Sequence, residues 1–379
     1  MKSILKTIAA VAMLAFSAPA FAGGLEVKTD DGKFRVGGRI MLDLAVHNED
    51  KSQMNNGTEF RRARLFMKGT VFKDWGFKAQ YDFAEDTLAT KDLYIKYKPL
   101  GITIGQFKQP LSLEELTSSK YITFIERSSP NSFAIGRRIG VGYHTGADNY
   151  SFAASVYGRS VGTTTASKTR DEGFGAAGRL TFAPWASDTS ALHLGIAASR
   201  ERPQDGSNTA RFRARPEAHT DGARLIDTGT LANVDSITRY GVEAALVKGP
   251  FSVQAEYLAS NLSRNFGNPD ASFDGGYVFA SWFLTGESRP YSAKKGTFGR
   301  VKPNTEYGAW ELATRYSNLN LNDGLVKGGE MDNWTVAVNY YMNPHARLML
   351  NYIVVDTDVN AVTPDDDPSI FLARAQIDW

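Results

Sequence analysis

The stretch Phe34-Arg35-Val36-Gly37-Gly38-Arg39-Ile40-Met41-Leu42-Asp43-Leu44-Ala45-Val46-His47 alternates in character along its length. In an extended chain successive side chains point to opposite faces. Val36, Gly38, Ile40, Leu42, Leu44 and Val46 therefore share one face, and Arg35, Arg39, Asp43 and His47 share the other. Segments of about 7–15 residues with this period recur through the chain. They fall near 33–47, 58–72, 75–85, 91–98, 101–107, 139–144, 150–158, 173–183, 191–200, 237–247, 250–261, 274–285, 306–318, 332–342, 346–358 and 369–379. That is about sixteen, an even count, as single-chain bacterial barrels require. The last of them places Phe371, Ala373, Ala375, Ile377 and Trp379 on one face and ends on the aromatic. A soluble β-sandwich also alternates, but it seldom needs so many long, aromatic-flanked strands. The expected fold is all-β: a transmembrane antiparallel β-barrel of about sixteen strands, with loops folded into its lumen.

Working outward, Met1 to Ala22 reads as a secretory signal. Lys2 and Lys6 give a basic start, Ile8 to Phe16 an apolar run, and Ala20-Phe21-Ala22 a small-x-small cleavage site. The apolar run is too short to cross a bilayer as a helix. The expected division is a signal over 1–22 and a barrel over 23–379. Losing Lys2 and Lys6 leaves equal numbers of cationic and acidic side chains, so any anion preference must come from where charges sit. With no Cys, stability must come from burial and backbone pairing. No later segment reaches the length of a spanning helix, and in a membrane only helices and closed barrels satisfy every backbone group. Short links such as Lys73-Asp74, Pro99-Leu100, Lys248-Gly249 and Asn343-Pro344 alternate with longer ones, which puts the long loops outside. Two loops are long, about 108–138 and 201–236. A third long link, about 286–305, falls where a short turn is due and is where the strand count is most exposed to error.

Chemistry of an enzyme is not expected. The five histidines lie far apart without metal-ligand spacing, and no nucleophile elbow or phosphate loop is present. Asp365-Asp366-Asp367 lacks the spaced ligands of a calcium loop. No cofactor or metal is expected, and nucleic acid is not expected as a partner.

The basic residues carry more. Arg211, Arg213 and Arg215 stand at every second position, so in an extended segment their guanidinium groups rise as a ladder about 7 Å per step, with Phe212 and Ala214 turned away. A solvated basic loop is the plain alternative. In Phe60-Arg61-Arg62-Ala63-Arg64, strict alternation sends Arg62, Arg64 and Lys68 into the lumen and leaves Arg61 outside, or inside if the strand bulges. By the same parity Arg39, Arg239 and Asp92 face inward. Ser112-Leu113-Glu114-Glu115 has capping-box spacing and predicts a short helix within the first long loop, packed to the wall by Leu113 and Leu116. Ser118, Ser119, Lys120 and Arg127 follow it.

Phe34-Arg35-Val36-Gly37-Gly38-Arg39, Phe60-Arg61-Arg62-Ala63-Arg64, Ser112-Leu113-Glu114-Glu115-Leu116-Thr117-Ser118-Ser119-Lys120, Glu126-Arg127-Ser128 and the arginine ladder resemble the phosphate- and polyphosphate-selective porins of the O/P porin family. The resemblance covers essentially the mature chain. It implies a homotrimer of sixteen-stranded barrels in the lipid of the bacterial outer membrane, each with its own pore for phosphate or polyphosphate anions. By position it makes Arg61, Arg62, Ser118, Ser119, Lys120 and Arg127 constriction residues, with Asp92 the acid that tempers affinity. It makes Arg211, Arg213, Arg215, Arg224, Arg239 and Arg39 the ladder. The odd periplasmic link folds inward in such porins, and Arg289, Lys294, Lys295, Arg300 and Lys302 would form an electropositive exit. A less selective anion or organic-anion porin and a barrel-borne receptor or adhesin remain as alternatives.

Overall fold

In a computed structural model of the chain, residues 24–29, 32–84, 88–162, 171–203, 208–358 and 365–379 are described. The signal expected over 1–22 lies outside them. Sixteen antiparallel strands follow one another around a closed wall. They are β1 (Gly32–Asn48), β2 (Gly57–Val71), β3 (Trp75–Asp82), β4 (Ala89–Tyr97), β5 (Ile102–Lys108), β6 (Arg137–Gly146), β7 (Tyr150–Tyr157) and β8 (Gly175–Ala186). Then come β9 (Ser190–Glu201), β10 (Val234–Lys248), β11 (Phe251–Arg264), β12 (Ala271–Phe283), β13 (Ala309–Asp323), β14 (Val326–Asn343), β15 (Ala346–Thr357) and β16 (Ser369–Asp378). Each pairs with the next, and β1 pairs with β16 from Arg39↔Asp378 to Asn48↔Ser369, which leaves the wall no open edge. Trp379 extends this seam by exchanging backbone hydrogen bonds with Gly38 (3.1 and 3.2 Å). A Cβ on Gly38 would lie 2.5 Å from the indole, so only glycine admits the terminal ring there. Below it the short strand Leu25–Thr29 pairs with the start of β1.

Much of the burial is the reverse of a soluble protein, although an apolar cluster of loop and wall residues, Phe133, Phe212, Phe273 and Ile353 among them, fills part of the interior. Phe60, Val156, Ile196 and Trp334 are exposed, while Arg315 and Arg374 are each 1% exposed inside. An apolar outer face and a charged inner face are what a lipid environment selects. Outward aromatic pairs, Trp75–Tyr97 tilted and Phe251–Trp282 and Trp310–Tyr340 stacked, sit beside the short turns, as an interfacial girdle does.

The strand count through 286–305 holds, because the link 284–308 between β12 and β13 adds only two-residue bridges, Tyr291–Ser292 with Thr297–Phe298. It turns into the barrel: Phe298 packs with Leu113 of the first long loop and with Ala245 and Val247 of β10. The two long external loops also turn inward, the first over 109–136 and the second, within 202–233, over its described residues 208–233. In the second, Arg213 and Ala214 pair with Asp227 and Ile226. Phe212 sits in T-shaped contact with Phe133 of the first loop (5.4 Å) and Phe273 of the wall (5.7 Å).

Candidate functional site: a basic constriction

The loop 109–136, here the constriction loop, is held against the wall by its backbone. Leu113–Leu116 forms one short helix, with Ser112 accepting from the Glu115 amide at 3.1 Å. Only half of the capping box forms. The Glu115 carboxylate turns instead to Arg127 (3.2 Å) and Lys108 (2.9 Å). Glu256 of β11 accepts from the amides of Leu113 (3.1 Å) and Glu114 (2.6 Å) and from the Ser112 hydroxyl (2.8 Å). Arg127 donates to the carbonyls of Glu114 (2.8 Å), Glu115 (3.2 Å) and Thr117 (3.1 Å). The helix ends would otherwise carry orphan donors and acceptors in a confined lumen. Burial alone would raise Glu115, but Arg127 and Lys108 hold its pKa down at about 2. Leu113 packs to the wall as expected, whereas Leu116 lines open space.

That space is a cavity of about 290 Å³ between the loop and strands β1 to β6. Arg39, Arg62, Arg64, Lys78, Lys108, Arg127 and Arg137 face it against only Asp92 and Glu115, with Ser118 and Ser119 on the loop side. Most of these cations are engaged. Arg64 donates to Asp82 (2.6 Å), and Lys78 and Arg137 (2.6 Å) both donate to Asp92. Two are different. Arg39 donates to the Ser119 hydroxyl at 2.7 Å, and Arg62 has the Met41 sulfur at 3.6 Å with its Nε unpartnered. Neither donates a hydrogen bond to a carboxylate among the described residues.

The register of β1 with β2 slips between Met41 and Leu42, leaving Arg61 as the extra residue. A bulge re-aims a side chain. Strict alternation would turn Arg61 to lipid; the bulge turns it inward, where it grips Glu126 of the constriction loop (2.9 and 3.0 Å). Arg61 does not reach the cavity, and neither does Lys120, which pairs with Asp378 (2.7 Å) on its periplasmic side. Arg39, placed on the ladder by resemblance, lies in the cavity.

In the loop 202–233, Arg211 and Arg213 are exposed while Phe212 and Ala214 are buried, so the alternation has its expected sides. Arg211 grips Asp227 with Nε (2.8 Å) and Nη2 (2.5 Å). Arg215 donates to the Asp221 carbonyl (3.0 Å). Arg224 stands near this group: burial, then Arg215 and Arg213, push its pKa down to about 10. Arg239 lies apart on β10, bound to Glu201 at 3.0 Å.

On the periplasmic side Lys294, Lys295 and Lys302 are exposed. Arg300 is bound to Asp378, and Arg289 is buried over the Phe298 ring (3.6 Å) with Gln254 as partner (2.8 Å). A second cavity, about 350 Å³, is lined by Lys33, Arg35, Lys68 and Lys96 and shares Tyr94 with the constriction. Sequence reasoning did not single out Lys78, Lys108, Arg137 or Lys96. The usable signal was inward parity, which needs the register of each strand. At the outer rim Asp366 accepts from the amides of Lys51 and Ser52 (both 3.0 Å), so that acid anchors a loop.

A closed barrel, apolar outside and charged within, narrowed by inward loops over a cationic passage, defines a porin of the outer membrane: a channel and not an enzyme. Residues 34–379 match the family Phosphate-selective porin O and P, and the chain belongs to it. Porin O of Pseudomonas aeruginosa is 28% identical, covering 99% of both chains. An uncharacterised protein of Caulobacter vibrioides is 30% identical over 88% of this chain and 71% of its own length. Among solved structures, in-vitro folded OmpT of Vibrio cholerae aligns with a TM-score of 0.59 at 15% identity, covering 93% of this chain and 99% of that one. A trimer form of OmpT aligns at 0.57 with 14% identity, covering 92% and 100%. The outer membrane channel DcaP of Acinetobacter baumannii aligns at 0.59 with 13% identity, covering 94% and 100%. These share the fold.

Proposed function

We propose that this porin selects anions and passes phosphate or polyphosphate, captured by the arginines of the loop 202–233 and handed to the cavity under the constriction loop. The observation that carries this reading is the pairing of Arg39 and Arg62 with Ser118 and Ser119 around one small space. A guanidinium offers a planar fork that fits phosphate oxygens, and charge-assisted hydrogen bonds are worth about 1.5–3 kcal/mol each. Conduction requires that such sites be weak enough to leave. Asp92, already sharing Lys78 and Arg137, supplies the repulsion that weakens the tightest site. Below it Lys68, Lys96 and the exposed Lys294, Lys295 and Lys302 draw the ion toward the periplasm. Lys120 and Arg127 serve this path by holding the loop through Asp378 and the helix carbonyls, and Arg61 adds a paired cation beside it, on Glu126. The family membership and the trimer form of OmpT support a homotrimer with one pore per chain. The test is a bilayer recording of chloride current against added phosphate. Phosphate should block at concentrations far below those of chloride. An ohmic chloride current indifferent to phosphate would leave a general anion porin.

A further inference from the structure

Three wall arginines converge on one carboxylate of the constriction loop. Arg61 grips Glu126 with Nε (2.9 Å) and Nη2 (3.0 Å), Arg374 donates to its Oε1 (2.7 Å), and Arg62 approaches the same oxygen at 3.5 Å. This two-point hold on a carboxylate is the hold a guanidinium gives a phosphate. Arg374 is in addition bound to both oxygens of Asp43 (2.6 Å each), so its charge is answered elsewhere. Arg62 is not so committed: it is 3% exposed, faces the cavity, and keeps an unpartnered Nε.

The Glu126 side chain is not what keeps the loop in place. Wall side chains hold the loop's carbonyls directly: Arg347 on Ile122 (2.9 Å), Arg374 on Ile125 (2.5 Å) and Arg315 on Glu126 itself (3.1 Å). A carboxylate placed beside the passage, and spare to the scaffold, has another consequence. It fills the seat an anion would take between Arg61 and Arg62.

We propose that Glu126 is a resident counter-anion, a specificity-determining residue that occupies Arg61 and competes with the travelling anion for Arg62. It repels an oxyanion arriving at Arg62 and leaves that arginine only partly available, so the ion is held less tightly and released sooner. The choice of phosphate as travelling ion rests on the function proposed above; the competition itself applies to any anion.

The test is E126Q beside wild type in planar bilayers, with the reversal potential measured in a potassium chloride gradient and the phosphate block of chloride current titrated. The amide keeps size and a hydrogen-bond acceptor but drops the charge. Expected are an unchanged open conductance, a reversal potential shifted toward ideal anion selectivity, and a block midpoint lowered about tenfold. E126A gives the same directions if the amide variant assembles poorly. A larger conductance with weaker block would mean that Glu126 only braces the loop, and the proposal falls. Unchanged reversal potential and block overturn it equally. If phosphate blocks neither channel, the phosphate reading fails, and the reversal potential alone decides for Glu126.

Discussion

Replacing Arg213, Arg215 and Arg224 by Ala removes three cations that lie close together on the loop 202–233. Period-2 spacing sets neighbouring rungs about 7 Å apart. A unit charge at that distance in water is worth roughly 0.6 kcal/mol to each negative charge on a passing anion. Three rungs sum to about 1.8 kcal/mol, or roughly twentyfold in the rate of capture for a monoanion, and more for a dianion. Arg211 has a two-point grip on Asp227, so its removal has a second effect. R211A should still slow capture, because it exposes the carboxylate, and R211A with D227N should restore the wild-type rate. The assay is the onset rate of phosphate block in single-channel chloride recordings at low and high salt. Screening shrinks from about 10 Å at 0.1 M to about 3 Å at 1 M, so the loss should nearly vanish in the concentrated electrolyte. Substitution by Lys should cost less, since charge remains and only the fork is lost. If the triple Ala channel assembles and captures phosphate at the wild-type rate in low salt, these arginines are a solvated loop.

Glu217 of the same loop accepts from Ser129 of the constriction loop (2.9 Å) and from Arg315 and Ser317 (2.6 Å) of β13. E217A takes from the fully buried Arg315 its nearer carboxylate, leaving Glu114 at 3.4 Å, and should cost about 3 kcal/mol of loop docking, read as larger and noisier open conductance from a barrel that still resists denaturant. Acid should leave the Glu115 clasp on Arg127 and Lys108 intact until well below the usual carboxylate range. Glu115, held at about 2 against an ordinary 4.5, gives its full contribution above about pH 4.5 and loses it as pH falls through 2. A rise in conductance below about pH 3 should therefore belong to Glu115, and E115Q should abolish that step.

Parity alone told much of this. The inward faces of β1, β2, β4 and β10 follow from alternation because a charge facing lipid is costly and an apolar residue there is not. The inward turn of the constriction loop was legible in its length and its Ser-x-x-Glu start. What alternation could not reach were contacts set by slips and by distance. The bulge at Arg61 has no local signature, since it depends on where β1 and β2 lose register. Lys120 is drawn out of the cavity by Asp378, a residue far along the chain that barrel closure brings beside it. Lys78, Lys108 and Arg137 each look ordinary on their own strand and become a cluster only when three strands curve around one loop. Arg289, placed at the exit by resemblance, lies over Phe298, a contact that no local spacing reveals.

The dependence of one loop on another also imposes an order of assembly. The constriction loop leans on Arg374 of β16, Arg347 of β15 and Arg315 of β13, strands far from it in the chain. The loop 202–233 in turn rests on the constriction loop, through Phe212 on Phe133 and Glu217 on Ser129. The contacts from Arg347 and Arg374 become available only once the last two strands are in place. A barrel whose wall closed before its loops docked would be wide and water-filled, its interior charges still hydrated. Until the loops docked, such a barrel would leak through its full width, and its narrowing would come last.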